Sequence, residues 1–486
     1  MPKKLIFLLL TLAFILTSGF GCSNTPAADA KYMREVTLNY WRVWDGPDTF
    51  QAIIDAYKQL HPFVNINYKK LRYEEYEKEL IEAFATDRGP DIFSVPNTWL
   101  RKYQAQGLIE PLPKSYKISF PVQEGKLKKQ ILPNVKTVTP ISLKRLKDDF
   151  VEVVYDDVVI KEKNSSTNVT EEKIFGLPLA VDTLAMYYNK DLFNNAGIAN
   201  APLYWNREFQ QDVKKLTKQD TKGQIIQSGV ALGGGKNITR SSDIFSALMM
   251  QNGTDMMQGN LVTFNQRPQS FSKDILPGLD ALRFYTDFSD PAKEIYCWNS
   301  EMANSLDLFI QGKLAMMFGY TYMLPQIKSM APKLNFSISP LPQIEDNPPV
   351  NFANYWVEVV SRKIQTNPAN LAIGKDYAQQ KSDTAWDFVQ FATKAEQVKS
   401  YLDKAKNVTA LRKLIDGQTE DQEIGEFAKE ALTARSWYKG QDALAAEAIM
   451  MDMIDNAASG HEALDSVINL GARKIQQTID VYSKQN

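Results

Sequence analysis

The chain has 486 residues, 44% of them hydrophobic and 23% charged, with a formal net charge of -1 and a pI near 6.3. That length exceeds one compact core, so two or three domains are expected. A balanced charge gives no broad positive field and excludes a nucleic-acid partner. With 2 histidines, 2 cysteines and no HExxH or Cys/His cluster, no metal and no cofactor are expected.

At the N-terminus, Lys3 and Lys4 precede an apolar stretch from Leu5 to Leu16, then small residues up to Gly21 and Cys22. This is the layout of a secretory signal, too short for a permanent membrane span. A cysteine at the end of such a segment resembles a bacterial lipobox, in which Cys22 becomes the lipidated first residue of the mature chain. Residues 23–32 then form a polar linker to the membrane surface. Gly19 and Phe20 stand where lipoboxes usually carry leucine and a small residue, which leaves simple cleavage as the alternative. Cys297 is then the single thiol of the mature chain and reads as a small half-buried hydrophobe. His61 and His461 read as turn residues, and neither lies in a triad motif.

Residues 34–95 alternate between two periods. "VTLNYW" places Val36, Leu38 and Tyr40 on one strand face, and "DTFQAIIDAYKQL" places Phe50, Ile53, Ile54, Tyr57 and Leu60 on a helical stripe, opened by Gly46-Pro47. "VNINY" alternates again, "YEEYEKELIEAF" is helical through Tyr76, Leu80, Ile81 and Phe84, and "DIFSV" is a short buried strand. Such alternation predicts an α/β unit with a mostly parallel sheet, whose ligands sit beyond the carboxyl ends of the strands. Those ends carry Trp41, Trp44 and Asp45 after the first strand and Asn97 and Trp99 after the third. Aromatic faces beside short polar groups suit a sugar, and the bland alternative is that the tryptophans fill the core.

Between Pro111 and Ile174 the pattern weakens. Residues 114–135 read as polar and irregular, "LKRLKDDFVEVVYDDV" as the helix that begins a second lobe, and "KEKNSSTNVTEEK" as a hairpin tip. "GLPLAVDTLAMYYNKDLF" then reads as a buried strand entering a helix, with Asp182 inside it and no lysine or arginine close by. "SGVALGGG" is a strand ending in a glycine loop. Its "GGGK" fails the phosphate-loop test, because Val230 occupies the first glycine position and Asn237 follows Lys236. The loop instead suggests a ligand approaching the backbone. "DIFSALMMQNG" is a helix stopping at Gly253, "NFSISPLP" and "NYWVEVVS" are strands, and the chain from Asp383 onward is strongly helical.

Five stretches in order, "VTLNYWRVWDGPDTFQAIIDAYKQLHPFVNINY", "RGPDIFSVPNTWLRKYQAQGLIEPLP", "FGLPLAVDTLAMYYNKDLF", "FIQGKLAMMFGYTYMLPQI" and "NAASGHEAL", resemble the family 1 extracellular solute-binding proteins of ABC importers, of the maltose-binding, carbohydrate type. The resemblance implies a two-lobed α/β fold of the type II periplasmic-binding-protein kind, with mixed, mostly parallel sheets and a hinge. Lobe one is expected over 33–115 and 343–397, a connecting segment over 116–139, and lobe two over 140–342 and 398–486. It further implies that Asp182 accepts hydrogen bonds from sugar hydroxyls, the alternative being a structural acid bonded to backbone amides. Asn97 and Trp99 match a segment offering polar groups, although the aspartate-arginine pair of maltose binders is absent. Tyr320 or Tyr322 stands for an aromatic platform, Trp437 replaces a missing cleft tryptophan, and Tyr355 and Trp356 line the cleft.

The expected function is capture of a small carbohydrate by a monomeric, extracytoplasmic lipoprotein that delivers it to ABC permease subunits by hinge closure. Two alternatives differ in class: a ferric-iron binder using Tyr187 and Tyr188 as phenolates, and a secreted glycoside-acting enzyme using two carboxylates such as Asp45 and Asp182.

Overall fold

The computed structural model describes residue 29 and residues 31–479, apart from 125–129, 164–167 and 272–274. The signal stretch, Cys22 and most of the linker lie outside the described residues. Among those described, no helix is long and apolar enough to cross a membrane.

One five-stranded sheet runs in the order Val64–Lys70, Val36–Arg42, Ile92–Pro96, Trp356–Ser361, Ile109–Glu110. Alternation dictates its first strand, where Val36, Leu38 and Tyr40 face the core. The following helix, Pro47–Leu60, starts with proline in its first turn and buries Phe50, Ile53, Ile54 and Tyr57. Leu60 and Ile81, expected on the apolar stripes, are exposed at the stripe edges; helix Tyr73–Ala85 buries only Tyr76, Leu80 and Phe84. Trp386 and Phe388 of helix Lys375–Ala392 close the same core.

The second five-stranded sheet runs Lys218–Gln219, Ile225–Val230, Leu314–Gly319, Ala185–Asn189, Phe336–Ser339. Helices Ser241–Gln251, Pro277–Asp287, Ala443–Ser459 and Leu464–Ile479 pack together in this lobe. Between the lobes lies a three-stranded sheet of Ala434–Arg435, Asn351–Asn354 and Asp182–Thr183, with Asn354 opposite Asp182. Its strands continue into different lobes, Asn351–Asn354 into Trp356–Ser361 and Asp182–Thr183 into Ala185–Asn189. The strands returning from this hinge enter each sheet at the cleft end and therefore run against their neighbours. Antiparallel pairing is for this reason more frequent than the mostly parallel sheets expected from sequence.

Residues 116–124 and 130–138 are not irregular. They form an antiparallel hairpin, Tyr116–Glu124 with Gln130–Val138, and the hairpin packs on helix Lys375–Ala392. Tyr116 Oη donates to Asp387 at 3.0 Å and the Lys117 amide to Asp383 at 3.0 Å. Two prolines opposite each other, Pro121 and Pro133, together with interspersed lysines, mask the strand signal in the sequence. The helix-like run 143–158 is two helices, Leu143–Asp149 and Glu152–Val158, broken where the Val151 amide bonds the Ala410 carbonyl. Its second helix packs on Asn97–Trp99 and Ala434–Arg435 rather than opening lobe two. Helix Ala395–Ala405 packs on Pro47–Leu60, which carries lobe-one packing past residue 397.

Candidate functional site

The strand ends of both sheets converge on a cavity of about 740 Å³. Trp44 and Asp45 follow the first strand, Thr98 and Trp99 the third, and Trp356 starts the strand antiparallel to the third. The opposite wall carries Asp182 at the hinge, Tyr320, Thr321 and Tyr322 after strand Leu314–Gly319, and Arg240 with Asp243 at the start of helix Ser241–Gln251. The size lies inside the roughly 300–1,000 Å³ typical of small-molecule sites.

Aromatic rings dominate the mouth. Trp44 stacks on Tyr73 with centroids 5.5 Å apart and planes at 20°, and on Tyr322 across the cleft at 6.3 Å and 10°. Tyr322 stacks in turn on Tyr320 at 6.0 Å and 17°. Trp356 meets Trp44 and Tyr73 edge-on, each at 6.2 Å. Trp44, Tyr73 and Tyr322 are exposed while Tyr320 is buried, so the row runs from the rim into lobe two.

The polar groups are largely paired with each other. Arg240 adopts a left-handed backbone, φ 61°, and reaches Asp243 at 2.6 Å and Glu447 at 3.2 Å; Tyr320 Oη donates to Asp243 at 2.6 Å. Burial pushes the Glu447 carboxyl up, against the nearby Arg240 charge. On the lobe-one side Arg42 pairs with Asp45 at 3.0 Å, Tyr401 Oη donates to Asp45 at 3.2 Å, and Asn407 Nδ2 approaches Tyr401 Oη at 3.4 Å. Thr321 Oγ1 lies 3.3 Å from Asn407 Oδ1, which extends this polar chain into the other lobe.

Asp182 ends that chain. It accepts from the Thr321 amide at 3.1 Å, the Thr321 hydroxyl at 2.8 Å and the Thr183 amide at 3.0 Å, while also lining the cavity. Burial pushes its carboxyl up to about 7, and these hydrogen bonds only partly counter the shift. The alternative of an acid bonded to backbone amides therefore describes its protein contacts, while its side chain also forms part of the cavity wall.

Of the residues singled out in the sequence, Trp44, Asp45, Trp99, Asp182, Tyr320, Tyr322, Tyr355, Trp356 and Trp437 line the cavity. Several have their polar tips engaged. Tyr355 Oη donates to Asp157 at 2.7 Å and Trp437 Nε1 to Ser246 at 3.0 Å, so these two offer mainly ring surface. Trp41 and Asn97 are corrections, since neither lines the cavity. Trp41 alternates to the other side of its strand from Tyr40 and Arg42 and carries Lys69 over its ring at 4.4 Å. Asn97 is buried and donates to Asp157 at 2.8 Å. Tyr73, Arg240, Asp243, Thr321, Tyr401, Asn407 and Glu447 were missed. Tyr73 was accessible to the strand-end argument, since it follows strand Val64–Lys70; the others meet only through the fold.

The remaining motifs resolve as structure. The glycine loop does not admit a ligand to its backbone: a Cβ on Gly235 would stand 2.3 Å from the Met451 carbonyl, so the loop accommodates helix Ala443–Ser459 instead. Cys297 is fully buried, not half-buried, and burial pushes its thiol up to about 12, which removes it as a nucleophile. Tyr187 is fully buried with its hydroxyl on the Tyr320 carbonyl at 2.7 Å, and Tyr188 packs on Phe193; neither lines the cavity, which is contrary to an iron-ligating pair. The described residues contain no group of three or more His, Cys, Asp or Glu placed to hold a metal.

The family model described as "Bacterial extracellular solute-binding protein" matches residues 44–399. A protein of Brucella abortus (strain 2308), named as a binding protein, is 25% identical over 321 residues, and the match spans 65% of this chain and 64% of that protein. Among solved structures, a cyclo/maltodextrin-binding protein complexed with maltotetraose aligns over 92% of this chain and 98% of its own at 14% identity and TM-score 0.65. The sugar-binding protein MalE from Xanthomonas citri aligns over 92% and 98% at 15% identity and TM-score 0.65. A mannotriose-bound protein, CpMnBP1, aligns over 91% and 100% at 21% identity and TM-score 0.57. A family model covering most of the chain, over two lobes that meet at a ring-lined cleft, shows that this chain belongs to the bacterial extracellular solute-binding proteins, a family of binding proteins and not of enzymes.

Proposed function

We propose that the chain captures a neutral carbohydrate of one to a few rings in the interlobe cleft, outside the cytoplasm, and presents it to the permease subunits of an ABC importer. The observation that carries the reading is the cleft wall itself, in which rings from both lobes alternate with paired polar groups. Rings stack on the CH-rich faces of a sugar, while carboxylates, Asn407 and Thr321 exchange hydrogen bonds with hydroxyls. Both arginines are held by carboxylates of the protein, Arg42 by Asp45 and Arg240 by Asp243 and Glu447, so neither is left free to pair with an anionic guest. Trp44, Asp45, Trp99, Asp182, Tyr320, Tyr322, Tyr355, Trp356 and Trp437 are its proposed contacts. Sugars bound by structurally similar proteins, maltotetraose and mannotriose, support the ligand class.

Contacts made only when both lobes touch the ligand shift the hinge toward closure, and the closed shape is what a permease reads. Acylation of Cys22, with residues 23–32 as a tether, holds the chain at the membrane surface. A thermal-shift screen over maltose, maltotriose, mannobiose and mannotriose tests the reading. Sugar at about one hundred times its Kd adds about 2.7 kcal/mol to folding stability and raises the melting temperature. A panel of neutral mono- and oligosaccharides giving no shift at millimolar concentration would overturn it.

A further inference from the structure

In the lobe-two wall of the cavity, two carboxylates share one arginine. Arg240 Nε and Nη2 donate to Asp243 at 2.9 and 2.6 Å, and Nη1 donates to Glu447 at 3.2 Å. The guanidinium is further pinned by the Tyr320 ring, whose centre lies 5.8 Å away. Arg240 precedes helix Ser241–Gln251, and Glu447 sits in the second turn of helix Ala443–Ser459. These two helices pack on each other, so one lobe alone sets the cluster. Its two acids differ in access. Asp243 is buried and also accepts from Tyr320 Oη, whereas Glu447 keeps 32% of its side chain exposed in the cavity wall. Elsewhere in the wall, Asp45 is only 11% exposed, Asp182 is engaged by Thr321 and Thr183, and Glu423 is matched by Lys328 at 2.5 Å. Glu447 is thus an accessible acid whose cation is already engaged by a second carboxylate.

We infer that Glu447 is a specificity-determining residue: it keeps the net charge of the Arg240 cluster negative, accepts hydrogen bonds from neutral sugar hydroxyls and turns away sugar rings that carry a carboxylate. The inference rests on the proposed carbohydrate reading and adds to it the residue that makes the guest neutral. A carboxylate entering at this wall meets an arginine that is fully engaged and an acid of its own sign. Like charges about 5 Å apart across a partly hydrated wall repel strongly enough to change affinity by at least about ten-fold. With glutamine at 447 the amide oxygen still accepts from Arg240 Nη1, the cluster becomes a one-to-one ion pair of Arg240 with Asp243, and the repulsion is gone. Lys404 and Lys406 also line the cavity, but both are exposed to solvent, where salt screens them.

The test uses the mature chain, calorimetric titration at about pH 8, and two matched pairs of probes: maltotriose and mannotriose, each beside the tri-uronate in which every C6 alcohol is oxidised to a carboxylate. That pH favours the ionised form of Glu447 against the burial that raises its pKa. Wild type is expected to bind the neutral member of a pair at least about ten-fold more tightly than its tri-uronate, and Glu447→Gln to bring that ratio close to one. Asp452→Asn removes a charge from the same helix outside the cavity and should leave the ratio at its wild-type value. Should Glu447→Gln not fold, the wild type alone gives the answer, because raising salt from about 0.05 M to about 1 M screens the repulsion and should narrow the ratio. A wild type that binds the tri-uronate as tightly as the neutral sugar, a ratio unchanged in Glu447→Gln, or, without that variant, a ratio indifferent to salt would overturn the inference and leave the carbohydrate reading standing. Binding of none of the four probes by the wild type would instead remove the carbohydrate reading, and this inference with it.

Discussion

Asp182 is both a structural acceptor and part of the cavity wall. Its oxygens hold the Thr321 amide and hydroxyl and the Thr183 amide, and it lines the interlobe cavity. Because burial raises its pKa from an ordinary 3.8 to about 7, the folded chain keeps this proton over a pH range in which the unfolded chain has lost it. More protons bound in the folded state means that stability falls with rising pH from about 4 to about 7 and levels off above. Relative to Asp182→Asn, which does not titrate there, the wild-type urea midpoint should therefore decline between pH 4.5 and pH 7.5; parallel profiles would show that the acid is ionised normally. Asp182→Ala leaves Thr321 without its acceptor and should lower the unliganded melting temperature, at a cost of about 1–3 kcal/mol. Arg240 shows the same economy of position: a left-handed residue just before helix Ser241–Gln251 turns its guanidinium back onto Asp243 and Glu447.

Among elements, the short helix Glu152–Val158 matters beyond its length. Its Asp157 is buried and accepts from Asn97 at 2.8 Å, Tyr355 at 2.7 Å, Ser436 at 2.5 Å and Lys439, drawing three other segments to one point beside the hinge sheet. Burial alone would raise this carboxyl, but the Lys439 ammonium and the surrounding donors outweigh it and hold the pKa below the usual value. Its contribution is present above the unfolded pKa, near 4, and is lost as pH falls through the lower folded value. Asp157→Ala should cost about 3–5 kcal/mol in chemical denaturation at pH 7, because Lys439 is left without its partner; a loss below 1 kcal/mol would reduce the cluster to a peripheral one. The glycine loop makes a second test. Gly235→Ala forces a methyl group against the Met451 carbonyl and should destabilise by about 1–3 kcal/mol, read as a lower melting temperature with no sugar present. Elements with clean periodicity, such as Val36–Arg42 and Pro47–Leu60, were legible in the sequence because one face of each is buried. The paired strands Tyr116–Glu124 and Gln130–Val138 were not legible, since their prolines and lysines hide the alternation and the first of them is held by helix Lys375–Ala392, which lies far along the chain.

For the whole molecule, the proposed function makes binding and shape one equilibrium. Trp44, Trp99, Trp356 and Trp437 line the cavity, so a sugar that binds there should change the intrinsic fluorescence saturably, with Trp44→Phe removing the largest part of the signal because Trp44 is the exposed member of the set. A saturable change that survives Trp44→Phe in full would move the ligand away from the cleft mouth. Ferric citrate should leave the protein colourless, given that Tyr187 is sealed in the core and Tyr188 packs on Phe193. A visible charge-transfer band would restore phenolate ligation.

By itself the sequence determined the α/β character, the strand ends that carry Trp44, Asp45 and Trp99, and the family motifs spread along the chain. These follow from local rules, because periodicity and turn chemistry act over a few residues. Only the tertiary structure decided that Trp41 and Asn97 stand outside the cleft, that Asp182 is satisfied by Thr321, and that Arg240, Glu447, Tyr401 and Asn407 join the site. Their partners lie up to 356 positions away, as for Tyr401 and Asp45. Contacts of that range depend on how two lobes dock across a hinge, and burial and charge at each group are set by that docking.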